Sequence, residues 1–312
     1  MFPLLGSVYL GWALGANNAS NVFGTAVAAR IITYRKATLL CGVSVLLGAI
    51  LQGSEGIKTL SGLTEQNIST AVIVSVSAAL TGTIMTYLRI PISVSQAVVG
   101  AIFGIGLVTN CTEYPGLMKI IICWIGTPIG SMLITGMIYK LLGWFINHVP
   151  MSILTRDKIL WSGLLIVGIY GSYALGSNNV TNAVGVFSGL IDGVNDRHLA
   201  MIGGIAIAIG ALTYSKRVIF AVGSGIIPMD AFTALAAVLG MAVTVHIFAI
   251  IGAPVSTSQG IVGSIVGVGI LRGTNAIKLR VLGNITLGWL LTPIVSFVLA
   301  VAGYAIFVNK TG

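Results

Sequence analysis

Leu14-Gly15-Ala16-Asn17-Asn18-Ala19-Ser20-Asn21 returns 161 residues later as Leu175-Gly176-Ser177-Asn178-Asn179-Val180-Thr181-Asn182. Two more motifs are duplicated in the same order. Pro91-Ile92-Ser93-Val94-Ser95-Gln96 matches Pro254-Val255-Ser256-Thr257-Ser258-Gln259, and Trp124-Ile125-Gly126-Thr127-Pro128 matches Trp289-Leu290-Leu291-Thr292-Pro293. Three ordered pairs with slowly drifting offsets mark an internal repeat, the arrangement from which many transporters are built.

The surroundings of these motifs are apolar. Hydrophobic residues make up 56% of the 312 and charged residues 7%, and the mean hydropathy is +1.03. A soluble domain carries about a quarter charged residues, so lipid must face most of this surface. Apolar stretches run near 2–33, 37–53, 67–88, 90–109 and 117–147, then near 159–191, 198–215, 230–252, 254–271 and 276–308. Most are long enough to cross a bilayer, which takes roughly 20 residues in a helix. The expected fold is therefore an all-α polytopic membrane protein of about ten transmembrane or re-entrant helices, in two five-helix repeats. The first repeat covers 1–147, a cytoplasmic connector 148–158, and the second repeat 159–312.

An odd number of spans per repeat inserts the second copy upside down. With the N-terminus outside and sides alternating, twelve basic residues fall inside, among them Arg35, Lys36, Arg156, Lys158, Lys216 and Arg217; only Lys58, Lys119, Arg197 and Lys310 fall outside. That bias follows the positive-inside rule and predicts both termini outside, in a cell membrane. The Gly- and Ser-rich stretches at 90–109 and 254–271 could be re-entrant rather than spanning.

The net charge of +9 does not indicate nucleic-acid binding, because the basic residues sit singly or in pairs between apolar stretches. Met1-Phe2-Pro3 has no basic n-region, so no signal peptide is apparent. Cys41, Cys111 and Cys123 lack CxxC spacing and read as small hydrophobes. No nucleophile–base or metal constellation suggests an enzyme, and no cofactor is implied. Asp230, before an apolar run, reads as an N-cap. His246 is the one histidine well inside an apolar stretch; it reads first as a hydrogen-bonded helix histidine, with a proton relay as the alternative.

A run such as Asn17-Asn18-Ala19-Ser20-Asn21 cannot face lipid, since each unpartnered amide there costs several kcal/mol. It must line a cavity or meet another polar group. Gly15 and Gly176 predict helices broken at the membrane midplane, whose freed carbonyls, with the amide oxygens, would make a neutral cage for a small hard cation. Asn17, Asn18, Asn21, Thr25, Asn178, Asn179, Thr181 and Asn182 are the candidate cation- or cavity-lining residues. The proline–serine motifs have the opposite polarity. Pro91 and Pro254 suit a first helical turn, and a helix N-terminus with hydroxyl donors is an anion site. Ser93, Ser95, Gln96, Ser256, Thr257, Ser258 and Gln259 are the candidate substrate-binding residues. Two helix termini of about half a positive charge each would face a tetrahedral oxyanion.

Gly15-Ala16-Asn17-Asn18-Ala19-Ser20-Asn21-Val22-Phe23-Gly24-Thr25 resembles the duplicated signature of the inorganic phosphate transporter family, usually Gly-Ala-Asn-Asp-Val-Ala-Asn-Ala-Phe-Gly-Thr. The second copy and the serine-rich motifs match as well. The resemblance implies a permease that moves inorganic phosphate by alternating access, as a symporter with Na⁺ or H⁺. Asn18 and Asn179 stand where that family has aspartates linked to coupling cations. A short branch resembling sulfate permeases also varies there, so sulfate is the alternative substrate, with an uncoupled anion channel as a third reading. The expected partners are the anion, the lipid bilayer and a second copy of the chain.

Overall fold

The computed structural model describes residues 2–28, 30–87, 92–213, 215, 229–273 and 278–308. Among them are eleven α-helices and no β-strand. The first half holds α1 (Leu5–Ala28), α2 (Tyr34–Gln52), α3 (Ser54–Ser61), α4 (Ile68–Tyr87), α5 (Val94–Thr109) and α6 (Tyr114–His148). The second holds α7 (Ile153–Val184), α8 (Asp196–Thr213), α9 (Ala231–Ile250), α10 (Thr257–Arg272) and α11 (Leu279–Phe307). Seven of these, α2, α4, α6, α7, α8, α9 and α11, are long and apolar enough to cross a membrane. The chain is a multi-pass membrane protein.

The interior combines an apolar core with many buried polar residues, and apolar side chains also cover the outside, unlike the surface of a soluble bundle. Met118, Ile122, Ile125, Ile129, Leu133, Met137 and Leu141 of α6 are all exposed. They recur every three to four residues, so they form one outward stripe on the helix. Leu287, Leu290, Ile294 and Val298 of α11 are exposed in the same way. Serines, threonines, asparagines and glutamines are instead found among the fully buried side chains.

Glycines set the helix contacts, and they do so in matched pairs. A Cβ on Gly15 would overlap the Ile207 carbonyl, and one on Gly176 the Val45 carbonyl. Likewise Gly210 sits against the Trp12 carbonyl and Gly48 against that of Tyr173. These contacts pack α1 on α8 and α2 on α7, and each pair runs parallel, since Gly11 lies beside Ala206 as Gly15 does beside Ile207, and Gly53 beside Val180 as Gly48 does beside Tyr173. Gly15 and Gly176 were expected to loosen their helices. They admit a neighbouring backbone instead, as small residues do in membranes. Gly100 and Gly263 repeat the device against the carbonyls of Pro293 and Pro128, joining α5 to α11 and α10 to α6. The two equivalent helices α1 and α7 also meet, with Gly11 beside Ala183, Val22 beside Gly171 and Phe23 beside Gly168. That register runs antiparallel.

Both interior prolines, Pro128 and Pro293, lie within α6 and α11. Each lacks the N–H that an α-helix needs. The preceding threonines offset part of the disturbance, Thr127 and Thr292 each donating to the carbonyl four residues back at 2.6 Å. The connection between α6 and α7 is short, only 149–152, and Ser152 caps α7 by accepting from the Thr155 N–H. The expected cap at Asp230 is present, its carboxylate accepting from the Thr233 N–H at 2.7 Å.

Candidate functional site

Both asparagine motifs lie inside unbroken helices. α1 runs through Asn17–Asn21 and α7 through Asn178–Asn182 without interruption, so the broken helices expected there are not found. The reason is local. Asn21 Nδ2 donates to Asn18 Oδ1 at 3.4 Å, and Asn182 Nδ2 donates to Asn179 Oδ1 at 3.4 Å. Asparagines three apart share one helix face and partner each other, which leaves the backbone carbonyls in the helical ladder. Asn17 Nδ2 reaches Asn18 Oδ1 at 3.5 Å, and Ser20 back-bonds to the Asn17 carbonyl at 2.7 Å. Oxygens for a cation must therefore come from side chains. Thr25 Oγ1, Thr181 Oγ1 and Asn182 Oδ1 are buried without a hydrogen-bond partner.

The chain breaks lie elsewhere, at the serine motifs. α9 ends at Ile250, Gly252 turns the chain with φ of +76°, and α10 starts at Thr257. Pro254 thus precedes the helix by three residues rather than sitting in its first turn. Pro91 lies outside the described residues, and α5 starts at Val94 after an extended Ser93. Ser256 caps α10, accepting from the Gln259 N–H at 3.3 Å. Ser93 makes no such cap bond; its hydroxyl meets that of Ser95 at 3.3 Å. The first N–H groups of a helix have no partner within it, so the start of α5 keeps donors available.

These starts are buried. Ser93, Ser95, Gln96, Ser256, Thr257 and Gln259 are each at most 6% exposed, while Ser258 is half-buried. Gln96 Oε1 and Gln259 Oε1, which occupy matching positions, are both buried without a partner. Trp124 Nε1 and Trp289 Nε1 are a second matched pair of buried groups with no partner. The register of the Gly100–Pro293 and Gly263–Pro128 contacts puts Trp289 level with Gln96 and Trp124 level with Gln259. The tryptophans carried no chemical signal in the sequence beyond their duplication.

One direct bond ties the two motif types together. Asn178 Nδ2 donates to the Val255 carbonyl at 2.7 Å, and the Val255 N–H donates to Asn178 Oδ1 at 3.0 Å. This bidentate pair holds the loop before α10 on α7. Asn17, the matching residue of α1, is half-buried. Across the halves, α1 packs against α10 and α7 against α5. Each asparagine helix therefore touches the serine-led helix of the other half. Among the described residues no cluster of His, Cys, Asp and Glu could hold a metal ion, and all three cysteines are free.

Two cavities are lined by none of the motif residues. One of about 890 Å³ is lined by segments 61–66, 110–113 and 186–190 and carries Glu65 and Glu113. Another of about 630 Å³ is lined by segments 139–160 and 230–232.

Known proteins share this architecture and sequence. A solved structure described as the sodium-dependent phosphate transporter superposes with a TM-score of 0.88 over the full length of both chains, at 22% identity. A protein of Methanocaldococcus jannaschii, provisionally named a phosphate permease, is 33% identical over 95% of this chain and 94% of its own. The sulfate permease CysP of Bacillus subtilis is 30% identical over 94% of this chain and 84% of its own. The profile of the phosphate transporter family matches twice, over residues 14–161 and again over 147–300, and the chain belongs to that family.

Proposed function

We propose that this protein is a secondary active permease for inorganic phosphate, working by alternating access between two inverted five-helix repeats. The observation that carries the reading is the pair of buried, hydroxyl-rich helix starts at Ser93–Gln96 and Ser256–Gln259. Backbone N–H groups, hydroxyls and about half a positive charge at each start are suited to an oxyanion. Names of relatives point the same way, since permeases for phosphate and sulfate flank the chain in sequence.

Inversion is supported by the antiparallel contact of α1 with α7 and the parallel contacts of α1 with α8 and α2 with α7. Successive helices of one repeat alternate direction, so parallel packing of a first helix on the other half's second helix needs one half upside down. In our reading both termini face the outside of the cell membrane. The larger cavity then gathers three outer segments and the smaller one gathers inner segments only.

Coupling differs from the structural relative, which is sodium-dependent by name. With Asn18 and Asn179 in place of carboxylates, and α1 and α7 unbroken, neither a negative charge nor free carbonyls are at hand for Na⁺. Weak Na⁺ dependence follows, and a proton is the better candidate for the coupling ion.

The test is uptake of labelled phosphate by proteoliposomes of the purified protein, with and without excess sulfate. Phosphate uptake that sulfate inhibits only partly is expected. Sulfate uptake with phosphate ignored would make the protein a sulfate permease, as CysP is named.

A further inference from the structure

We propose that His246 is a proton-binding site that couples to anion transport, a role resting on the permease reading above. Its ring lies in α9 and both nitrogens are engaged. Nδ1 meets the Tyr170 hydroxyl at 2.9 Å, and Nε2 meets Gln52 Oε1 at 2.6 Å. A carbonyl oxygen can only accept, so Nε2 carries a hydrogen and donates. In the neutral ring Nδ1 then accepts from the phenol. A proton arriving at Nδ1 reverses that bond, with Nδ1 donating and the phenol oxygen accepting. The site can therefore gain a charge without losing a hydrogen bond.

The repeat itself argues against a purely structural histidine. Tyr9 and Thr83 of the first half hold the positions of Tyr170 and His246, and they bond at 2.7 Å. A threonine thus suffices to join these two helices. The second half places a titratable ring there and adds a third contact, to Gln52 of the other half. An imidazole changes charge near neutral pH, which a hydroxyl does not.

The link to Gln52 points toward the asparagine motif. Gly53, the next residue, packs on the Val180 side chain, and Gly56 packs on Thr181 Oγ1. The junction of α2 and α3 therefore rests on the segment holding Asn179, Thr181 and Asn182. On the other side, four residues carry the chain from Ile250 to the turn and Val255.

No carboxylate among the described residues is bonded to the ring. Tyr170 and Tyr173 of α7 approach it edge-on, with centroids at 5.5 and 5.6 Å. On α3, Glu55 and Lys58 pair with each other at 3.0 Å. On α6, Lys119 and Cys123 lie toward the same end. At the far end of α9 are Tyr139, beside Phe232, and Asp230 with Arg272 of α10. α1 brings Tyr9, already bonded to Thr83. Charge balance follows. A dianion facing helix termini worth roughly one positive charge leaves about one negative charge. One imidazolium cancels it. The proton is taken from the outer solution with the anion and released to the inner one.

The test uses the full chain in sodium-free proteoliposomes with inorganic phosphate and an acid-outside gradient. His246→Thr reproduces the Tyr9–Thr83 pair, which the fold already accommodates. We expect gradient-driven phosphate accumulation to fall in this variant while phosphate–phosphate exchange persists. Protons carried by phosphate itself are common to both proteins, so the difference reports the ring. Equal accumulation with an equal pH profile in both would overturn the proposal. If the wild type transports neither phosphate nor sulfate, the permease reading fails, and the site is judged by histidine NMR of the purified protein. A His246 ring that titrates near neutral pH would retain the proton site, and one that stays neutral from acid to alkaline pH would remove it.

Discussion

Asn17 and Asn178 are the same residue of one motif written twice, yet only Asn178 clamps a distant backbone. Replacing Asn178 by Ala strands the Val255 N–H and carbonyl in a buried setting, at about 1–3 kcal/mol for each unsatisfied group. The thermal unfolding temperature in detergent should fall clearly, whereas Asn17→Ala, which removes one long bond of 3.5 Å, should change it little. Equal losses in the two variants would contradict the asymmetry. For the anion, Ser95→Ala removes one donor to a charged group, worth about 1.5–3 kcal/mol. Its apparent phosphate affinity should weaken by roughly one to two orders of magnitude, with membrane insertion unchanged. The polar residues themselves were legible in the sequence, because amides and hydroxyls in apolar stretches have no cheap explanation. Their partners were not. The Val255 backbone is 77 residues from Asn178, and a backbone partner leaves no mark in side-chain identity.

Helices followed the apolar pattern where the pattern was long, and departed from it at two kinds of place. α3, Ser54–Ser61, is short and polar, so no membrane-length signal announces it. α1 and α7 continue through runs that favour caps and turns in isolation, because paired asparagines satisfy one another on a single helix face. Tertiary contact decides the glycines too. Gly176→Ala would drive a methyl into the Val45 carbonyl, which a flexible side chain cannot relieve. We expect a loss of about 1–3 kcal/mol or more in stability. Gly283→Ala, at a position with nothing within 4 Å, should instead gain up to about 1 kcal/mol through helix propensity. Thermal unfolding of the two variants side by side checks both signs. A tolerated Gly176→Ala would mean that α2 and α7 do not approach as closely as described.

At the scale of the molecule, the duplicated motifs predict a two-part organisation and the basic residues a sidedness, and both enter the proposed function. How the halves interlock was hidden, since it rests on which glycine faces which carbonyl across more than 150 residues of chain. Single cysteines at Glu65 and Arg156, both exposed, should label from opposite sides of sealed cells, Glu65 from outside. Labelling of both from one side would remove the inverted arrangement. In the proposed cycle Asn18 and Asn179 set the ion dependence. Restoring Asn18→Asp and Asn179→Asp together should make phosphate uptake rise with Na⁺ concentration, where the wild type responds weakly. The most direct measurement of the central claim is the steady-state level of labelled phosphate in sodium-free proteoliposomes under an inward proton gradient. A coupled permease should raise internal phosphate above the external level and lose it when the gradient is collapsed. Phosphate that only equilibrates, with or without the gradient, would identify a channel and contradict the account.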